Sequence, residues 1–262
     1  MATIKSRVAR HALGIFFSTK RAKKLAKKIS QDTEGTRYPE MWVNKYVNKR
    51  VKKLLKITKV ELEVKGIENL PRTTCILAPN HSSSMDPALM IRALANRDKK
   101  DNKLNKMVVF LGKEEIKKNK KVVGFADMLK TFYINRANPR QSLKALDDIA
   151  AHAKEHRKHI VIFPEGTRSV DGTIQEFKSG AFKIAQRAFL PIVPVTINNA
   201  LSITDFGNRT DTIKVQVIFH KEIKPMKFVS QKTSDIAVNI QKIVKKSWKK
   251  PEGKRAEAEN KV

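Results

Sequence analysis

Two kinds of hydrophobic pattern divide the chain. In the first fifth, apolar residues recur at helical spacing: Val8, Leu13, Ile15 and Phe16 form one run, and Trp42, Val43, Tyr46, Val47, Val51, Leu54 and Leu55 form another. A period near 3.6 residues marks amphipathic helices, and Gly35 and Pro39 punctuate the two runs. From Ile57 onward the texture changes. Val60-Glu61-Leu62-Glu63-Val64 alternates as a half-buried strand does. Shorter apolar runs at 73–77, 107–111, 132–134, 160–163, 192–197 and 213–219 predict further strands. Between and after them, 85–95, 141–156 and 234–248 predict helices, the second with Leu143, Leu146, Ile149, Ala150 and Ala153 turned inward. Strands alternating with helices define an α/β protein with a largely parallel central sheet flanked by helices, here preceded by an N-terminal amphipathic two-helix segment. The expected divisions are residues 1–56 for that basic segment, 57–248 for the α/β domain and 249–262 for a flexible charged tail.

Charge sharpens the reading of the N-terminal segment. The chain of 262 residues carries 55 Lys and Arg against 25 Asp and Glu, a net charge of +30. Such an excess attracts polyanions: nucleic acid, anionic lipid or phosphorylated substrates. Within residues 1–56 basic side chains outnumber acidic ones by 16 to three. Basic amphipathic helices can lie in a lipid interface, apolar face down, and Phe16, Phe17 and Trp42 are large for a purely solvated segment. The alternative is a helical hairpin packed on its own domain. No stretch approaches the roughly 18–20 apolar residues that span a bilayer. The apolar cluster at 12–17 is also short for a secretory signal and is followed by basic residues. The expectation is a peripheral protein on the cytoplasmic face of the cell membrane. The single cysteine, Cys75, has no partner for an internal disulfide and lies in an apolar run, as a buried structural thiol would. Aromatic content of 6% and the lack of a recognisable nucleic-acid module argue against nucleic acid as the partner. A basic membrane- or nucleic-acid-binding protein is the non-enzyme alternative.

Two blocks carry candidate chemistry. Asn80-His81-Ser82-Ser83-Ser84-Met85-Asp86-Pro87 follows an expected strand and opens an expected helix, where α/β sheets place ligands. Across such a turn Asp86 can accept from one nitrogen of His81, leaving the other to take a proton. Alternatively, Asn80 and His81 cap the turn and Asp86 favours the helix dipole. The second block is Ile160-Val161-Ile162-Phe163-Pro164-Glu165-Gly166-Thr167-Arg168-Ser169, a strand running into a loop. There Gly166 permits close backbone approach, Thr167 offers a hydroxyl, and Arg168 a fork suited to phosphate. Alone it reads equally as an ordinary turn with a surface arginine.

Other chemistries leave weaker traces. Ser82, Ser83 and Ser84 lie beside His81, but neighbours in sequence rarely make a nucleophile–base pair, and no Gly-x-Ser-x-Gly elbow occurs. His152-Ala153-Lys154-Glu155-His156 fits a metal-hydrolase pattern, yet its Lys-rich setting reads as a solvated helix end.

Taken together, the blocks resemble the glycerolipid acyltransferases that acylate lysophosphatidate, the 1-acyl-glycerol-3-phosphate acyltransferase family. The His-x4-Asp signature is matched by His81 and Asp86, and Phe-Pro-Glu-Gly-Thr-Arg-Ser by Phe163 to Ser169. Phe132-Tyr133-Ile134-Asn135-Arg136 fits the block ending in arginine, Leu190 to Val195 the Val-Pro-Val strand, and Lys113 to Ile116 the lysine segment. Lys130 and Asn135 depart from the family's usual glycine and aspartate.

The resemblance implies transfer of a fatty acyl group from acyl-CoA or acyl carrier protein to the sn-2 hydroxyl of lysophosphatidate, giving phosphatidate. His81 would be the general base and Asp86 its orienting partner. Lys113, Arg136, Glu165, Gly166, Thr167 and Arg168 would bind the phosphorylated acceptor, with Gly166 and Thr167 also forming the oxyanion loop. Neither metal nor cofactor is implied. Glycerol 3-phosphate or another lysophospholipid is the alternative acceptor, and an anionic membrane surface the expected partner.

Overall fold

The computed structural model describes residues 3–32, 34–95, 106–120, 122–135, 137–204 and 209–251, with residues 12–18, 139 and 204 given by backbone alone. In chain order come α1 (Ile4–Arg10), α2 (Ala12–Gln31), α3 (Glu40–Ile57), β1 (Val60–Lys65), β2 (Ile76–Pro79), α4 (Asp86–Ala93), β3 (Val108–Lys113) and α5 (Val123–Met128). They continue with β4 (Phe132–Ile134), α6 (Pro139–Glu155), β5 (His159–Val161), α7 (Lys183–Arg187), β6 (Ile192–Asn198), β7 (Ile213–Phe219) and α8 (Thr233–Ser247). One seven-stranded sheet has the order β1-β7-β6-β2-β5-β3-β4. Every pairing is parallel except β6 with β7. The expected α/β class and largely parallel sheet are therefore found.

The period-two alternation of the strands sorts the core into two layers. Cys75, Leu77, Val161, Val193 and Val195 point to one side of the sheet, and Ile76, Ala78, Ile160, Ile162 and Ile192 to the other. α6 covers the second side with Leu146, Ile149, Ala150 and Ala153, and α8 joins it with Ile236, Ala237, Ile240 and Val244. Leu143, expected inward, is instead exposed: it shares the stripe but lies one turn before Leu146, near the N-terminal end of α6. Cys75 is fully buried, with Sγ 3.1 Å from His159 Nδ1. Burial pushes its thiol well above the usual range, which keeps it unreactive.

The N-terminal segment differs from the expectation in two ways. Three helices replace two, because the chain breaks at His11, whose amide already closes the last turn of α1. In addition, the apolar stripe of α3 faces the domain. Val43, Val47, Val51 and Leu55, four residues apart, are buried in the same cluster as Leu77 and Val193. Each such side chain contributes about 1.5–3 kcal/mol when fully withdrawn from water, so α3 is anchored to the α/β core through this face. Met41 and Trp42 remain exposed, and Trp42 stacks on Tyr46 at 5.5 Å between ring centroids. Phe16 and Phe17, and the tail beyond Pro251, lie outside the described side chains and residues. Among the described residues no helix is long and apolar enough to cross a membrane.

Candidate active site

Because β2, β3, β4 and β5 run parallel, their C-terminal ends share one edge of the sheet. That edge receives His81 just after β2, Lys113 at the end of β3 and the Glu165–Arg168 loop after β5. Arg136, which follows β4, lies outside the described residues.

The loop between β2 and α4 is shaped around one carboxylate oxygen. Asn80 ties it to β6: its Oδ1 accepts from the Ile197 amide at 2.7 Å, and its Nδ2 donates to the Ile197 carbonyl at 3.0 Å. Asp86, in the first turn of α4, is fully buried. Its Oδ2 accepts from the amides of Ser82 and Ser83, both at 2.8 Å, and lies 2.7 Å from His81 Nδ1. A carboxylate at that distance fixes the tautomer, so Nδ1 carries the proton and Nε2 the lone pair. The His81 ring stacks on Phe163, with centroids 4.1 Å apart, and its side chain is 17% exposed. The imidazole is thus held rigidly but retains an opening to solvent.

The second loop is fastened to the first through backbone atoms. Glu165 Oε1 accepts from the His81 amide at 2.6 Å, and the Ser169 amide donates to the His81 carbonyl at 2.9 Å. Glu165 Oε2 takes the Gln175 amide at 3.0 Å. Expected among the acceptor-binding residues, Glu165 is instead only 3% exposed, with both oxygens engaged inside the protein. With those bonds it braces the two loops against each other. The Gly166 amide, expected to face an oxyanion, donates to the Phe163 carbonyl at 3.0 Å. Gly166 adopts a left-handed φ of 69°, which closes that turn. Thr167 and Arg168 are exposed beyond it, and the Arg168 guanidinium is paired with no described residue.

Glu165 escaped sequence reasoning as a brace because its partners are backbone amides, which no residue pattern encodes. Burial pushes its carboxyl up to about 7, against the lowering effect of the two amide donors. A carboxyl whose folded pKa lies above its ordinary 4.5 stabilises the fold at low pH, and that contribution is lost as pH rises through about 7. The full effect corresponds to about 3 kcal/mol. Urea unfolding of the wild type and Glu165→Gln, at about pH 5 and pH 8, should show the wild type losing ground to the variant as pH rises. Parallel pH dependences would contradict the assignment.

The serine-hydrolase arrangement is not formed among the described residues. Ser82 and Ser83 are buried, Ser83 Oγ accepts from the Met85 amide, and no serine hydroxyl bonds to His81. What remains is an α/β enzyme site in which an oriented imidazole and an arginine loop share the carboxyl edge of the sheet.

A family model described as Acyltransferase matches residues 61–198, a stretch that contains both loops. The chain belongs to the acyltransferase family. It is 28% identical to a protein of Mycoplasma pneumoniae named probable 1-acyl-sn-glycerol-3-phosphate acyltransferase, over 76% of this chain and 78% of that one. It is also 28% identical to the 1-acyl-sn-glycerol-3-phosphate acyltransferase of Saccharomyces cerevisiae, over 64% of this chain and 52% of that one. The fold is shared with the crystal structure of the 1-acyl-sn-glycerophosphate acyltransferase PlsC from Thermotoga maritima, with a TM-score of 0.67, 22% identity and 98% coverage of each chain.

Proposed function

We propose that the protein transfers a fatty acyl group from an acyl thioester to the sn-2 hydroxyl of lysophosphatidate, producing phosphatidate, with His81 as general base. The observation that carries this reading is the coupling of the two loops: His81 is bonded to Glu165 and to Ser169, on either side of the exposed Arg168. An imidazole that can take a proton and a guanidinium that can hold a phosphate thus sit on one assembly. The names of the relatives support lysophosphatidate as the acceptor.

In the reaction, His81 Nε2 removes the proton from the acceptor hydroxyl while that oxygen attacks the thioester carbonyl. Asp86 orients the ring and supports the imidazolium. The tetrahedral oxyanion requires preorganised donors, and the amides of Thr167 and Arg168, which meet no acceptor among the described residues, are the candidates. The thiolate then leaves and takes its proton from His81, so no acyl-enzyme is needed. Arg168 and Lys113 hold the phosphate, with Arg136 as a third cation. Acyl-CoA and acyl carrier protein are the candidate donors.

The enzyme works at the cytoplasmic face of the membrane. The exposed Met41 and Trp42 at the start of α3, together with the exposed lysines along α2 and α3, support an interfacial lie. Offering the purified protein both donors with lysophosphatidate, glycerol 3-phosphate and lysophosphatidylcholine tests the reading by product identity. Phosphatidate is expected to dominate; a product from either other acceptor alone would overturn the assignment. Replacing Arg168 with alanine should raise the KM for lysophosphatidate about 10–100-fold, the loss of a charge-assisted contact, with a smaller change in kcat. An unchanged KM would remove Arg168 from the phosphate site.

A further inference from the structure

At the opposite end of the sheet from His81, α6 hands the chain to β5 beside the start of α3. The His-x-x-Glu-His run of α6 sits there, but the fold supplies a different carboxylate from the one in the pattern. Glu155 is exposed and reaches only His156, with Oε2 3.7 Å from its Nε2, whereas Glu40 of α3 reaches both histidines. Glu40 Oε1 lies 3.9 Å from His152 Nε2, and Oε2 lies 3.4 Å from His156 Nδ1. Two ligand atoms on one tetrahedral zinc ion stand about 3.3 Å apart, given bond lengths near 2.0–2.1 Å. All three ligand atoms lie within 4.8 Å of one another, wider than a zinc-bound set, so the side chains would draw together on binding.

A cation already occupies it. Lys158 Nζ is 2.6 Å from Glu40 Oε1 and 3.0 Å from His152 Nε2. An ammonium can only donate, so His152 Nε2 is the acceptor of that contact. Nε2 therefore presents its lone pair to the centre of the cluster. A cavity of about 490 Å³ borders Glu40, His156 and Lys158. It gives a hydrated ion a way in and the lysine room to move aside.

We infer that Glu40, His152 and His156 form a binding site for one divalent ion of the zinc type, for which the Lys158 ammonium is the built-in competitor. Two imidazoles and a carboxylate are a zinc ligand set, and the cavity leaves a further position for water. Occupation would clamp the start of α3 to the end of α6, fastening the N-terminal helices to the sheet. The site is remote from His81, so this inference stands whether or not the acyl-transfer mechanism holds.

Zinc chloride titrated into the full-length protein by calorimetry, alongside thermal unfolding, tests it. Wild type should take up one zinc ion per chain with a rise in Tm, and His156→Gln should lose both responses. Lys158→Met, which removes the competitor, should bind at least about tenfold more tightly, since metal binding no longer has to displace a cation. Absence of saturable binding in the wild type, or equal binding in His156→Gln, would overturn the site. If Lys158→Met does not fold, the wild type and His156→Gln still decide the matter.

Discussion

Replacing His81 with alanine is expected to lower the acyl-transfer rate about 10²–10⁴-fold, the range that positioned general-base catalysis contributes. The protein should stay folded. The bonds of residue 81 to Glu165 and Ser169 run through its amide and carbonyl, and alanine keeps both. Only the ring contacts with Phe163 and Asp86 disappear. Affinity for the phosphorylated acceptor should change little, because the phosphate is assigned to Arg168 and Lys113. Steady-state kinetics on the variant, with equilibrium binding of lysophosphatidate measured in parallel, separates the two effects. Wild-type turnover would eliminate His81 as the base, and lost binding with normal turnover at saturation would reverse the division of labour.

Replacing Asp86 with alanine should be the most damaging single change to stability at the site. One buried oxygen, Asp86 Oδ2, accepts from His81 Nδ1 and from the amides of Ser82 and Ser83. Removing it leaves three donors without that acceptor, two of them the buried amides of Ser82 and Ser83. Each buried donor left without its acceptor costs about 1–3 kcal/mol. Urea unfolding followed by circular dichroism measures the loss. Activity should fall as well, because the ring loses its fixed tautomer. Asp86→Asn keeps one acceptor oxygen, so it should recover part of the stability while leaving turnover low. A stability of Asp86→Ala within experimental error of wild type would mean that the loop is held by other contacts.

The parts of this molecule legible in its sequence are those written in side-chain periodicity or in compact motifs. β1 shows its half-buried face as Val60-Glu61-Leu62-Glu63-Val64, and the observed burial alternates in step. His81 and Asp86 are five residues apart and meet across a single turn, so a local pattern suffices to pair them. The structure adds what depends on distant backbone. Glu165 looks like a ligand in its motif, yet its partners are the amides of His81 and Gln175, which carry no sequence signature. The stripe of α3 has the same spacing whether it meets lipid or sheet. Only the tertiary arrangement reveals that Val43, Val47, Val51 and Leu55 face the sheet and leave Trp42 outward. The metal-like run of α6 names Glu155, which reaches only His156, while the carboxylate that meets both histidines comes from Glu40, more than a hundred residues earlier.

Acyl transfer by this site requires one bound acceptor to reach both loops, and a crystal structure with a non-reactive lysophosphatidate analogue tests that most directly. Phosphate oxygens are expected within hydrogen-bond distance of the Arg168 guanidinium, with the glycerol sn-2 position about 3 Å from His81 Nε2. A headgroup bound elsewhere, or one held by Arg168 with its glycerol directed away from the imidazole, would contradict the mechanism.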